Sequence, residues 1–275
     1  LKVLKTDRRA FYRGATACVC IIAIVYGNIF IACGRSHSYE IKEVMIDKLI
    51  EGKVDLEKSD DYRIDVYDGV DNTSMYLGYP GINAFHSVVP ASIFEFYDYI
   101  GVERSVGSRP DTDQAAIRPL LSVKYLLNRK DEDAKKFLDE DNETKMPNYE
   151  YLKTDGGYYV YENKNYIPFG FSYNYYMSYA FCDEYSKSSR ASMMLKAILL
   201  TDEQIEKYKD ILDNIENLEM PPFGGDETGT TLSQTDSAME YDCAQLRETA
   251  AYSFKRDNTG FTADVTRDKE KPPRR

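Results

Sequence analysis

The sequence predicts an α+β protein: one transmembrane helix, followed by a mixed, mostly antiparallel sheet domain with helices. Three observations predict it. Residues Ala15–Cys33 form an apolar run in which only Asn28 is strongly polar, and at 1.5 Å per residue the run spans about 28 Å, close to the hydrocarbon thickness of a bilayer. Segments that alternate in polarity, clearest on either side of Asp155-Gly156-Gly157, read as strands. Segments with apolar residues three and four apart read as helices between them.

The flanks orient the run. Lys2, Lys5, Arg8, Arg9 and Arg13 precede it and only Arg35 closely follows. Residues 1–13 are therefore expected in the cytoplasm, residues 14–34 in the cell membrane, and the body on the extracytoplasmic side. Two other readings stay open. One is a cleaved secretory signal, for which the apolar part is long; the other is a lipoprotein signal, in which Phe30-Ile31-Ala32-Cys33 is similar to a lipobox and Cys33 carries the lipid. The formal charge of -11 argues against a nucleic-acid partner, whose phosphates an acidic body repels. A hydrophobic content of 43% supports a packed core and excludes wholesale disorder. Cys182 and Cys243 are the body's two cysteines, expected as separate thiols rather than a disulfide. There is no CxxC and only His37 and His86, so neither a metal-ligand set nor a cofactor is expected.

The body is expected as an α+β domain over residues 35–220, a linker or flexible loop over 221–243, and the start of a β region over 244–275. Ser38 to Glu51 reads as an amphipathic helix capped by Ser38, and Val54 to Asp61 as a loop. Tyr62 to Tyr67 alternates as a strand, and the Asp-, Asn- and Gly-rich stretch Asp68 to Pro80 reads as a long loop. Pro90 opens a helix to about Ile100, with Ile93, Phe94, Phe96 and Tyr97 toward a core. Leu120 to Asn128 reads as a buried strand and Asp131 to Glu140 as a charged surface helix. Tyr149–Leu152 and Tyr158–Tyr161 form a hairpin about Asp-Gly-Gly. Helices are expected over 177–186, 189–200 and 202–218, the last capped by Thr201. Ala250–Lys255 and Phe261–Thr266 form a second hairpin.

A set of motifs recurs in order through the body: Tyr62-Arg63, Asn83-Ala84-Phe85-His86-Ser87, and Leu121-Ser122-Val123-Lys124-Tyr125-Leu126-Leu127. Then follow Gly157-Tyr158-Tyr159-Val160-Tyr161-Glu162-Asn163, Ile167-Pro168-Phe169-Gly170-Phe171 and Gly260-Phe261-Thr262-Ala263. Their order and spacing over roughly residues 60–265 resemble the extracytoplasmic region of the bacterial YfhO-like membrane proteins. The resemblance implies a polytopic glycosyltransferase of the type using polyprenyl-phosphate sugars, acting on a cell-envelope polymer such as teichoic acid. It implies polyprenyl-phosphate sugar and envelope glycan as partners beside the lipid bilayer, and Ala15–Cys33 as the last helix of a bundle. It also leads one to expect a chain truncated at both ends, with the catalytic acidic residue upstream and the body not catalytic by itself. The competing expectation is a non-enzymatic, membrane-anchored module that binds envelope glycan or a partner protein.

No catalytic residue is assigned from the sequence. Asn83, His86 and Ser87 could contact a sugar hydroxyl or phosphate, although a loop histidine that only bonds to backbone is the blander reading. Tyr173, Tyr175 and Tyr176 could stack on sugar rings, although tyrosine is also an ordinary strand residue and tryptophan, the usual platform, is absent. Asp68, Asp71 and Asn72 could gather oxygens about a cation but fit a turn better. Arg104, Arg109, Arg118 and Lys124 could meet an anion or lie on a solvated surface.

Overall fold

The computed structural model describes residues 8–41, 53–104, 106–130, 136–218, 224–225, 232–233, 236–250, 253–257 and 260–264. The chain divides into two compact units, Leu1–Gly52 and Lys53–Arg275.

The first unit is built on helix α1, Arg8–Ile41. Its segment Arg8–Arg35 is long and apolar enough to cross a membrane. Val19, Ile21, Ile22, Ile24, Val25, Phe30 and Ile31 are all exposed, as suits a helix whose solvent is lipid. Its one strongly polar side chain is satisfied locally, because Asn28 Nδ2 donates to the Ile24 carbonyl at 2.8 Å. The helix does not break at Arg35: residues 38–41 continue α1, so Ser38 does not cap a new helix. The rest of the expected amphipathic helix, 42–51, lies outside the described residues.

The second unit centres on a four-stranded sheet. Strand β1 (Arg63–Tyr67) is followed by helix α2 (Thr73–Leu77), strand β2 (Ala84–Phe85), helix α3 (Ala91–Tyr99), strand β3 (Gly107–Ser108) and helix α4 (Ile117–Leu120). Strands β4 (Val123–Arg129), β5 (Tyr149–Asp155) and β6 (Tyr158–Asn163) complete the sheet in the order β1-β4-β6-β5. β1 and β4 run parallel, and the other neighbours are antiparallel. Alternation along β4 sends Tyr125 and Leu127 to one face, where they join Tyr62, Ile64, Val66, Tyr79, Tyr158 and Val160. It sends Leu126 to the other, against Phe137, Met146, Tyr149 and Tyr161. Phe137 is fully buried there, with edge-on rings of Tyr67, Tyr149 and Tyr161 at 5.2, 5.5 and 5.0 Å. Both faces of the sheet are therefore covered, and burial of a ring such as Phe137 contributes about 1.5–3 kcal/mol.

A second, all-parallel sheet follows. Strand β7 (Tyr175–Ser178) leads through α5 (Tyr179–Cys182) and α6 (Lys187–Met194) to β8 (Ile198–Leu200), and then through α7 (Asp202–Tyr208) to β9 (Asp213–Asn214). β7 lies between the other two. Its core combines Met177, Cys182, Ala191, Met193, Leu195 and Ile215 with Ile100, Ile117 and Ile167. Strands β10 (Gly224–Gly225) and β11 (Leu232–Ser233) pair, helix α8 spans Asp236–Glu248, and β12 (Ser253–Asp257) pairs with β13 (Gly260–Asp264). Met239, Cys243 and Leu246 of α8 join the same core.

The α+β class holds. Both expected hairpins form, and Gly156 and Gly157 take φ of 53° and 81° in the first, as a two-residue turn with positive φ at both positions requires. Thr201 caps α7 in a full capping box with Gln204. Several expectations need correction. The loop read over 68–80 contains α2, a helix too short for its period to show. In α3, Tyr97 is buried with Ile100 just beyond it, while Ile93 and Phe94 remain 37% and 39% exposed. The strand read from Leu120 begins at Val123, because Leu120 ends α4. The helix read over 131–140 is not present at 136–140, where Leu138 bridges Thr144; its first five residues lie outside the described ones. The helix read over 177–186 starts on the last two residues of β7 and shortens to α5, that over 189–200 holds most of α6 and then β8, and that over 202–218 ends at Tyr208. Buried strands of three or four residues carry no period that distinguishes them from a helical turn. The stretch read as linker includes the first part of α8.

Candidate functional site

Asp65 is the middle residue of β1 and only 2% exposed. A carboxylate there must be paired, and three groups converge on it. Arg118 of α4, itself 3% exposed, donates from Nε to Asp65 Oδ2 at 3.1 Å. Asn83 Nδ2 donates to Asp65 Oδ1 at 2.7 Å and to the Val66 carbonyl at 3.0 Å. The Val66 N–H donates to Oδ1 at 2.8 Å. The remaining donors of Arg118 hold the approach to α4: Nη2 reaches the Pro110 carbonyl at 2.6 Å, and Nη1 reaches the carbonyls of Asp111 and, at 3.2 Å, Gln114.

A second ion pair closes the rim. Arg109 grips Asp71 with two parallel bonds, Nε to Oδ1 at 2.8 Å and Nη2 to Oδ2 at 2.5 Å. The loop that carries Asp71 turns through left-handed backbone at Asp68 and Asn72, with φ of 49° and 62°. Asp and Asn tolerate that region best after glycine. Between the two pairs lies a cavity of about 260 Å³, lined by Asp65, Asp68, Asp71, Asn83, Arg109, Asp111, Thr112 and Arg118 among others.

The charge state of two groups at or near the cavity follows from their surroundings. The Arg109 guanidinium bonded to Asp71 holds its carboxyl below the usual carboxylate range, so Asp71 is ionised near neutral pH. Burial raises the Tyr149 phenol, within electrostatic reach of Arg118 and Asp65, so it stays protonated. Asn83 Oδ1 is buried and has no hydrogen-bond partner among the described residues. A ligand hydroxyl could donate to it, to the carboxylates or accept from Arg109. Among the described residues no group of three metal-ligating side chains comes together.

Of the residues singled out from the sequence, Asp68, Asp71 and Asn83 line this cavity; His86, Ser87, Tyr173, Tyr175 and Tyr176 do not. His86 is exposed and its backbone N–H donates to the Val106 carbonyl at 2.7 Å, extending the β2–β3 ladder. Ser87 is exposed. Tyr173 donates its hydroxyl to the Met194 carbonyl at 2.7 Å, stacks edge-on with Phe171, and has its phenol raised by burial. Tyr175 is half-buried on β7 and Tyr176 is 8% exposed. The structure thus sets these tyrosines around the second sheet, apart from the cavity wall. Arg109 and Arg118, weighed as anion contacts, both lie in the cavity. Lys124 pairs with Glu57 at 3.2 Å and sits over the Tyr62, Tyr125 and Tyr166 rings. Asp65 was missed. Its signal is a carboxylate between Ile64 and Val66 in a strand with both faces buried.

Cys182 and Cys243 are buried free thiols, as expected. In comparisons with known proteins, a model of the family described as bacterial membrane protein YfhO matches residues 31–266. No curated protein matches the chain, and no solved structure does.

Proposed function

The chain belongs to the YfhO family of bacterial membrane proteins, and on that premise we propose that its body stands on the extracytoplasmic side and binds a cell-envelope glycan of the teichoic-acid type. Binding serves sugar transfer from a polyprenyl-phosphate donor, a transfer the body does not itself perform. The apolar helix Arg8–Arg35 supports the anchoring, and the excess of Lys and Arg before it supports the orientation.

The observation that carries the reading is the polar cavity beside Asp65. Carboxylates, an unpaired amide oxygen and an exposed arginine are the groups that recognise sugar hydroxyls and phosphate. At about 260 Å³ it is small beside typical ligand pockets of roughly 300–1,000 Å³ and suits a sugar unit better than a long segment of polymer. Asp65 and Asp71 each carry an ion pair, which leaves them poor candidates for proton transfer and favours recognition over chemistry.

The test is titration of the full chain in nanodiscs with teichoic-acid fragments. Binding is expected, weakened at least fivefold by Asn83→Ala or Arg109→Ala and unchanged by His86→Ala. Absence of binding to any envelope polymer overturns the reading. Sugar transfer from a polyprenyl donor by this chain alone overturns the division of labour.

A further inference from the structure

Beside the cavity residues, the body exposes a row of apolar side chains that do not line it. Phe85, Val88, Ile93, Phe94 and Val106 are 48, 90, 37, 39 and 45% exposed. Backbone and ring contacts make their segments neighbours. Phe85 pairs with Gly107 across β2–β3, and the next rung joins the His86 N–H to Val106. Phe94 lies under the Arg104 guanidinium, 5.4 Å from its ring, and Arg104 bridges to Ser108 of β3. Asn72, which caps α2, exchanges two bonds with the backbone of Phe85 at 2.8 and 3.1 Å. That brings in α2, whose Met75 is 60% exposed. Asp98, one turn beyond Phe94, is neutralised by Lys187 at 3.1 Å.

Folding has no use for such a surface, and exposed apolar patches mark contacts with something else. What that is follows from the chain itself. Residues 36–52 join a helix of membrane-spanning length to the body, so the body is tethered to a bilayer and meets it at high effective concentration. The patch also has interfacial composition: aromatic and aliphatic side chains, with the Arg104 guanidinium over the Phe94 ring.

We propose that this patch docks on the surface of the bilayer that α1 spans, with Phe85, Val88 and Phe94 entering the boundary between headgroups and acyl chains. The inference is independent of what the cavity binds.

The sequence contains no tryptophan, so single-tryptophan variants report without background. Val88→Trp and Phe94→Trp are compared with Ile211→Trp, a position 57% exposed and outside the patch. Each full-length chain is reconstituted in phosphatidylcholine–phosphatidylglycerol vesicles with plain or brominated acyl chains. Val88→Trp and Phe94→Trp are expected to lose at least half their fluorescence in brominated vesicles and to resist iodide. Ile211→Trp should show the reverse. Quenching of the patch variants by iodide, shielding of them from both quenchers as a protein partner would produce, or equal lipid quenching of all three positions would each overturn the proposal.

Discussion

Asp65 and Arg118 show how one buried pair organises a site. Each is almost fully enclosed, so neither can lose its partner and return to water. Arg118→Ala leaves an unpaired buried carboxylate and is expected to cost about 3–5 kcal/mol, read as a lowered urea midpoint of the body. Arg118→Lys should recover only part, because an ammonium cannot hold Asp65 and the Pro110 and Gln114 carbonyls together. A second residue-scale effect concerns pH. Burial pushes the Cys243 thiol up from an ordinary 9.0 to about 12. A group raised on folding contributes stability that is present below its unfolded value and lost as pH rises through the folded one. The melting temperature should therefore fall between pH 9 and pH 12, and less steeply in Cys243→Ala, as calorimetry over that range would show.

Among the elements, the β5–β6 hairpin was legible because its two-residue turn demands positive φ and the sequence supplies two glycines there. The two differ in what surrounds them. A Cβ on Gly157 would meet open space, whereas one on Gly156 would lie 2.4 Å from the Lys53 carbonyl oxygen. Gly157→Ala should cost about 1–2 kcal/mol from backbone strain alone, and Gly156→Ala clearly more; equal shifts in denaturation midpoint would contradict the packing of residue 53 against the turn. The second sheet was not legible. Tyr175–Ser178 and Ile198–Leu200 are short, half-buried to buried, and each adjoins a helix, so the apolar runs merge into one apparent helical pattern. What makes them strands is parallel pairing with each other, a long-range fact.

At the scale of the whole molecule, the membrane helix and the class were readable from composition and pattern, but the cavity was not. Asp65, Asp71, Asn83, Arg109 and Arg118 come from separate segments, and no local motif joins them. The bridge of Ile64 to Gly81, the pairing of β2 with β3 and the turn into α4 bring them together. The orientation proposed above rests on the flanking charge and has its own test. A cysteine at Tyr151, 57% exposed on β5, should react with a membrane-impermeant maleimide on intact cells. One at Lys5 should react only after permeabilisation. The opposite pattern would place the body in the cytoplasm.

The parallel pairing of β1 with β4 also dictates a schedule. Arg63 faces Val123, so the first strand of the sheet to be synthesised waits for a partner made much later. β5 and β6, by contrast, close on each other across a two-residue turn, within microseconds of emergence for a hairpin of this kind. Throughout that interval Ile64 and Val66 lack the sheet that later buries them, which is the state in which nascent chains aggregate or recruit chaperones. β1 is the first of the four strands made, and it has no sheet partner until β4 follows it.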